Sequence, residues 1–253
     1  MGCVQHLQLH LLLAAESGIE DRGLVVSEPF SQWIIEDRFA GERPEWESAG
    51  AQIVNDISVH EQMKLQMLNA THSALAYLGL LAGHEFIHEA MQDPMLHRFA
   101  DYLLETEVMP VIVSPKDFDL LQYKQSILSR FANSQIQYRT AQVASDGSQK
   151  LIQRVYPSIQ NHIELGTPCQ GLMLIVSAWL RCSCNKEIAC EFADPGAAMI
   201  RGLSEHELPE RLPSVIKIFG SAGSEKRFLQ EVSTGYTELG QKGLTTVLQN
   251  ILK

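Results

Sequence analysis

A helix that is apolar nearly all round has to be buried, and residues 61–82 read as one. Met63, Leu65, Met67, Leu68, Ala70, Leu75, Ala76 and Leu78 spread round its axis, which places it inside a helical assembly rather than on its surface. Its polar exceptions are gathered. With Lys64 at zero and 100° per residue, Glu61 lies at about +60°, His72 at about +80° and Asn69 at about +140°, an arc of roughly 140°. Polar groups collected on one side of a buried helix either find partners or line a cavity. Two readings stand open. Lys64 can serve as acid/base with a pKa depressed by desolvation. Asn69 then donates its amide to a developing oxyanion, and His72 holds a substrate hydroxyl. Alternatively Lys64 snorkels to water while Asn69 and His72 are satisfied core polars.

The rest of the chain fits a mainly α protein with a small β element near its N-terminus. Leu24-Val25-Val26, Trp33-Ile34-Ile35 and Gln52-Ile53-Val54 are short β-leaning runs punctuated by Gly41, Pro44 and Gly50. From Val59 the period is helical. The spacing predicts helices over 59–82, 84–91, 95–107, 117–132, 148–163, 169–184, 196–203, 207–218, 224–238 and 241–252, with Ser148 as an N-cap. The two prolines between Glu107 and Pro115 predict an extended linker. The division expected is 1–57, a lead-in with short strands, and 58–253, a helical domain.

Composition removes several function classes. The formal charge is −10, without a Lys/Arg run to offset it, so no nucleic-acid partner is expected. The longest apolar stretch, within Ala74–Gly83, is far too short to span a membrane. No Lys or Arg precedes the apolar Leu7–Ala15, which Gln8 and His10 interrupt, so no secretory leader is expected. Five cysteines are an odd number in a chain too long to need staples; the expected compartment is the reducing cytoplasm. There is no dinucleotide fingerprint, since Gly220-Ser-Ala-Gly223 is too short, and neither a P-loop nor a Gly-x-Ser-x-Gly elbow.

Lys64-x4-Asn69-x2-His72 resembles the signature of the polyol-specific long-chain dehydrogenases, the family of mannitol 2-dehydrogenase and fructuronate reductase (mannonate oxidoreductase). Glu28-Pro-Phe-Ser-Gln-Trp33, the segment Met63–Gly79 and Asp146-Gly-Ser-Gln-Lys150 are similar to other segments of that family, in the same order. The resemblance runs from about residue 18 to the C-terminus and implies a helical C-terminal domain similar to that of 6-phosphogluconate dehydrogenase. It implies Lys64 as general acid/base, Asn69 as half of an oxyanion hole, and His72 and Lys150 as ligands of substrate oxygens. Glu61 is placed on the proton path. The implied reaction is hydride transfer between NAD and a sugar acid or polyol, without a metal. Gln142 stands eight residues before Lys150, where the mannitol enzymes typically carry arginine; it is counted with the substrate-binding residues and tilts the expectation toward fructuronate/mannonate. The family's Rossmann domain, some two hundred residues, has no counterpart here. The expectation is therefore a catalytic half, incomplete alone, whose undocked face is apolar and drives self-association, or else a non-catalytic helical interaction module.

One motif competes. His84-Glu85-Phe86-Ile87-His88 is a literal His-Glu-x-x-His, with Glu107 at the spacing of a third zinc ligand; Glu85 would activate water in a metallopeptidase. Gly83 and Asp93-Pro94 leave little room for the helix it requires. Cys182-x-Cys184-x5-Cys190, with Cys169, fits no closed zinc pattern and reads as half-buried thiols. Lys150 also has a plain reading, as a solvated first-turn residue after an Asp146-Gly147 turn.

Overall fold

The computed structural model describes residues 15–19, 28, 30–116, 118–189, 191–201, 207–215, 219 and 225–253. The run Leu24–Val26, Gly220–Gly223 and Cys190 lie outside the described residues. Strand β1 (Trp33–Glu36) pairs with β2 (Ala51–Val54) in parallel, Trp33 opposite Ala51 and Glu36 opposite Val54. Their crossover carries a 3-10 turn, Trp46–Ala49, which ends on Gly50 at φ 92°. Trp46 packs against Trp33 and Phe39 at ring separations of 5.9 and 5.5 Å.

All else among the described elements is helical. α1 (Ser58–Met63) runs without a break through a π-helical turn, Lys64–Asn69, into α2 (Ala70–Ala82). Gly83, at φ 82°, closes it in the left-handed region that glycine tolerates. α3 (Ile87–Gln92) and α4 (Pro94–Tyr102) meet at Asp93, whose carboxylate accepts from the N–H groups of Met95 and Leu96. A second π segment, Leu103–Val108, extends α4. Then come α5 (Leu120–Phe131), α6 (Thr140–Ala144), α7 (Gly147–Arg154), α8 (Tyr156–Leu165), α9 (Gln170–Cys184) and α10 (Lys186–Ala189). A 3-10 turn, Pro195–Met199, precedes α11 (Leu208–Val215), α12 (Lys226–Gln241) and α13 (Leu244–Ile251).

The core is built on two helices. α2 and α9 pack on each other, α9 also packs on α12, and α2 on α6. Trp179, Tyr77, Phe99 and Phe228 are fully buried between them. Burial of each such side chain contributes roughly 1.5–3 kcal/mol.

Three sequence expectations are corrected. The helix expected over 148–163 is two helices, because Pro157 lacks the N–H and crowds the preceding turn. The segment expected to be extended from Glu107 is π-helical through Val108 and turns before it straightens. The helix expected from His84 begins only at Ile87, since Phe86 is extended at φ −120°, ψ 152°.

Candidate functional site

The π turn decides how the polar arc of α1–α2 is arranged. An i→i+5 turn holds one residue more than an α-turn and rotates the remainder of the helix back by about 100°. Asn69 then falls near +40° and His72 near −20°, so with Glu61 near +60° the arc tightens from roughly 140° to roughly 80° around Lys64. The turn is fixed from behind by buried Gln66, whose Oε1 accepts from the Ser158 hydroxyl at 2.8 Å. Leu68, Met67 and Met63 anchor it in the core.

Along this strip, Glu61 and Lys64 are exposed, and Asn69 and His72 are half-buried. The desolvation expected at Lys64 is therefore not supplied by the described residues of this chain. From Met63 on, the helix is largely buried on its other sides and more open on this one. The His72 ring stacks on Phe131 at 4.8 Å and meets the edge of Tyr138 at 5.5 Å. Its Nε2 is buried without a hydrogen-bond partner. Burial first, then the cations Arg154, Lys150 and Arg130, push its pKa down to about 3. His72 is thus a neutral imidazole at ordinary pH, able to donate to or accept from a hydroxyl.

The segment 146–154 forms the adjoining wall, and α7 packs directly against the π turn. Its local sequence has a physical reason at each step. Asp146 takes the left-handed conformation, φ 57°, which asparagine and aspartate tolerate better than other side chains. At Gly147 a Cβ would overlap the Tyr77 hydroxyl and stand 2.7 Å from Trp179, so only glycine fits. Ser148 is buried one step inside the helix and not its cap; its N–H donates to Asp194 Oδ2 at 2.8 Å and its hydroxyl to Oδ1. Asp194 also accepts from Trp179 Nε1 at 2.9 Å and Gly196 N at 3.2 Å. This buried hub ties the start of α7 to α9 and to the 3-10 turn at Pro195.

Lys150 and Arg154 then project one turn apart from the pinned helix. Lys150 Nζ donates to the Ser145 carbonyl at 2.6 Å and stands 4.0 Å from Asp146. Burial and the nearby Arg154 lower its pKa, with Asp146 and Asp194 opposing. Arg154 donates to Ser73 Oγ at 3.0 Å, and Ser73 donates to the Asn69 carbonyl at 3.1 Å.

The structure thus puts Glu61, Lys64, Asn69 and His72 on one strip, with Lys150 beside His72. Gln142 is exposed on α6, which packs on α2. Sequence reasoning missed Arg154 and Asp194. Arg154 stands four residues after Lys150, and that helical spacing was the available signal. Asp194 had none.

The competing zinc motif does not assemble. His84 precedes α3 and lies 3.5 Å from Asp93, while His88 stacks on Phe86. Glu107 is buried and accepts from Gly171 and Leu172 N–H groups, both at 2.8 Å. Among the described residues no three His, Cys, Asp or Glu side chains cluster to hold a metal. Cys169, Cys182 and Cys184 are buried free thiols. Burial raises all three pKa values, that of Cys169 to about 12. No helix among the described residues is long and apolar enough to cross a membrane.

Comparison with known proteins supplies the context. Residues 56–240 match the family described as the mannitol dehydrogenase C-terminal domain. The oxidoreductase YeiQ of Escherichia coli strain K12 is 38% identical over 93% of this chain and 50% of its own. D-mannonate oxidoreductase of the same strain is 34% identical over 91% of this chain and 49% of its own. Among solved structures, the mannitol 2-dehydrogenase of Pseudomonas fluorescens, in ternary complex with NAD and D-mannitol, superposes with a TM-score of 0.83. It is 33% identical and covers 97% of this chain and 51% of its own. The chain spans about half the length of the curated relatives it matches.

Proposed function

Because this chain belongs to the mannitol dehydrogenase C-terminal domain family, we propose that it forms the substrate-binding, proton-handling half of an NAD-linked polyol or sugar-acid oxidoreductase. The observation that carries this reading is the strip of Lys64, Asn69 and His72, open on one side of an otherwise buried helix and walled by Lys150.

In oxidation, neutral Lys64 takes the proton of the reacting hydroxyl. Asn69 donates to the alkoxide as charge develops. His72 and Lys150 hold neighbouring oxygens, and Glu61, exposed one turn before Lys64, passes the proton to water. NAD, when bound, would supply the hydride acceptor. The chain contains no glycine-rich phosphate loop, so its own residues fit the sugar and not the nucleotide. The nucleotide belongs to a second half that docks near residues 1–57 and covers Lys64, supplying the desolvation its chemistry needs. Gln142 in place of an arginine favours fructuronate/mannonate over fructose/mannitol. We assign the protein to the cytoplasm. The undocked face is the surface through which the chain alone self-associates.

The test is a chimera that joins this chain to the N-terminal half of Escherichia coli D-mannonate oxidoreductase. NADH oxidation is followed with fructuronate and with fructose. The expected result is turnover with fructuronate exceeding that with fructose. A folded chimera that binds NADH but reduces neither compound overturns the reading.

A further inference from the structure

We propose that Arg154, acting with Lys150, binds the carboxylate of an aldonate substrate and so sets a preference for sugar acids over polyols; this rests on the reading above of the Lys64–His72 strip as a sugar site.

Several other cations of low exposure among the described residues are paired with carboxylates. Arg130 holds Glu28 through two bonds, at 2.8 and 2.7 Å. Lys124 reaches Asp101 at 2.8 Å and Glu105 at 2.6 Å. Arg227 pairs with Glu231 at 2.6 Å. Arg154 is also half-buried, yet among the described residues its hydrogen-bond partner is a hydroxyl, that of Ser73. The protein does not lack carboxylates, since acidic residues outnumber basic ones by ten, 30 against 20. An unneutralised guanidinium in so acidic a chain is an invitation to an external anion.

Geometry narrows the anion's place. Arg154 and Lys150 are four residues apart and share a face of α7. Arg154 is tethered to Ser73, the residue after His72, and its charge acts on the His72 ring. Ser73 is itself committed to the Asn69 carbonyl, so the tether orients the guanidinium rather than satisfying it. Of five N–H donors, those left over form the planar fork that matches a carboxylate. Lys150 adds a second positive charge, with Asp146 at 4.0 Å and Asp194 acting against it. Buried His72 Nε2, without a partner, is placed for a hydroxyl of the same ligand.

The test is calorimetric titration of the purified chain at low salt with D-mannonate and with D-mannitol. Mannonate is expected to bind about tenfold tighter or more, the effect of one charge-assisted bond. In Arg154→Met the ratio falls to near one, and Arg154→Lys restores part of it. Ser73→Ala keeps the charge but frees the guanidinium, and is expected to lower the ratio severalfold; it keeps the test valid if Arg154→Met does not fold. Equal binding of the two ligands, or a ratio unchanged in the folded Arg154 and Ser73 variants, overturns the assignment while leaving the sugar site standing. Binding of neither ligand overturns the sugar site, and the assignment with it.

Discussion

Two sets of polar side chains rest on the same helical framework and are treated in opposite ways. Where the second π segment meets α9, Glu107 is buried and used up. Both carboxylate oxygens take backbone N–H groups, its carbonyl meets His162 Nε2 at 2.6 Å, and His162 Nδ1 meets Thr167 at 2.7 Å. Along the Lys64–His72 strip the polar groups are more exposed and less satisfied: Lys64 is exposed, and His72 Nε2 is without a partner. Burial alone therefore does not mark a site here. Glu107 has its pKa raised by burial, and its hydrogen bonds explain it as a clamp on the start of α9. Unspent hydrogen-bonding capacity is what distinguishes the other face.

The contrast can be broken by one exchange of effects. Lys64→Met in the active chimera is expected to lower turnover by about a thousandfold or more, the scale of a general acid/base. Because Lys64 is exposed, stability should change by less than about 0.5 kcal/mol. Glu107→Ala is expected to do the reverse. It orphans two buried N–H groups, each costing about 1–3 kcal/mol, so chemical denaturation should show a loss of roughly 3 kcal/mol. If Lys64→Met unfolds the protein and Glu107→Ala does not, the two regions have been assigned the wrong way round.

How far these regions could be read from the sequence divides along the same line. α2 was legible because its apolar run has one interpretation, and the paired strands because Trp33–Ile35 and Gln52–Val54 are short β-branched runs bounded by glycine and proline. The π turn was not, since nothing in Lys64–Asn69 distinguishes an i→i+5 from an i→i+4 ladder; its tertiary partners, Ser158 on Gln66 among them, lie far off in the sequence. The error propagated into the angles of the arc without removing its members. His-Glu-x-x-His misled because spacing counts residues, while the extended Phe86 interrupts the helix the motif needs. Asp194 was invisible because its partners, Ser148 and Trp179, lie 46 and 15 residues away.

A smaller effect sharpens the description of His72. Its folded pKa of about 3 lies below the ordinary value of 6.5. As pH falls below about 6.5, the unfolded chain takes up a proton that the folded one refuses. Stability therefore declines from there toward pH 3, by at most about 1.4 kcal/mol per pH unit from this group. His72→Phe keeps the stacking on Phe131 and removes the proton, so the acid limb of the stability profile should become shallower. An unaltered limb would mean that the ring meets water freely, and that its unpartnered nitrogen is no place for a substrate hydroxyl.

The smallest expected effect lies at the two-stranded sheet. Parallel strands are normally covered on both faces, yet Trp33 is 52% exposed and Phe30 41%. Large aromatics left open beside a parallel pair fit a surface that the second half in the proposed function would cover. In the isolated chain, Trp33→Ser should change stability by no more than about 0.5 kcal/mol, because little is lost from an exposed site. In the chimera the same substitution removes contacts made across the seam, so its melting temperature should fall while that of the isolated chain holds. Equal, negligible shifts in both would place the nucleotide-binding half elsewhere, and the bare Lys64 face would then need a different cover.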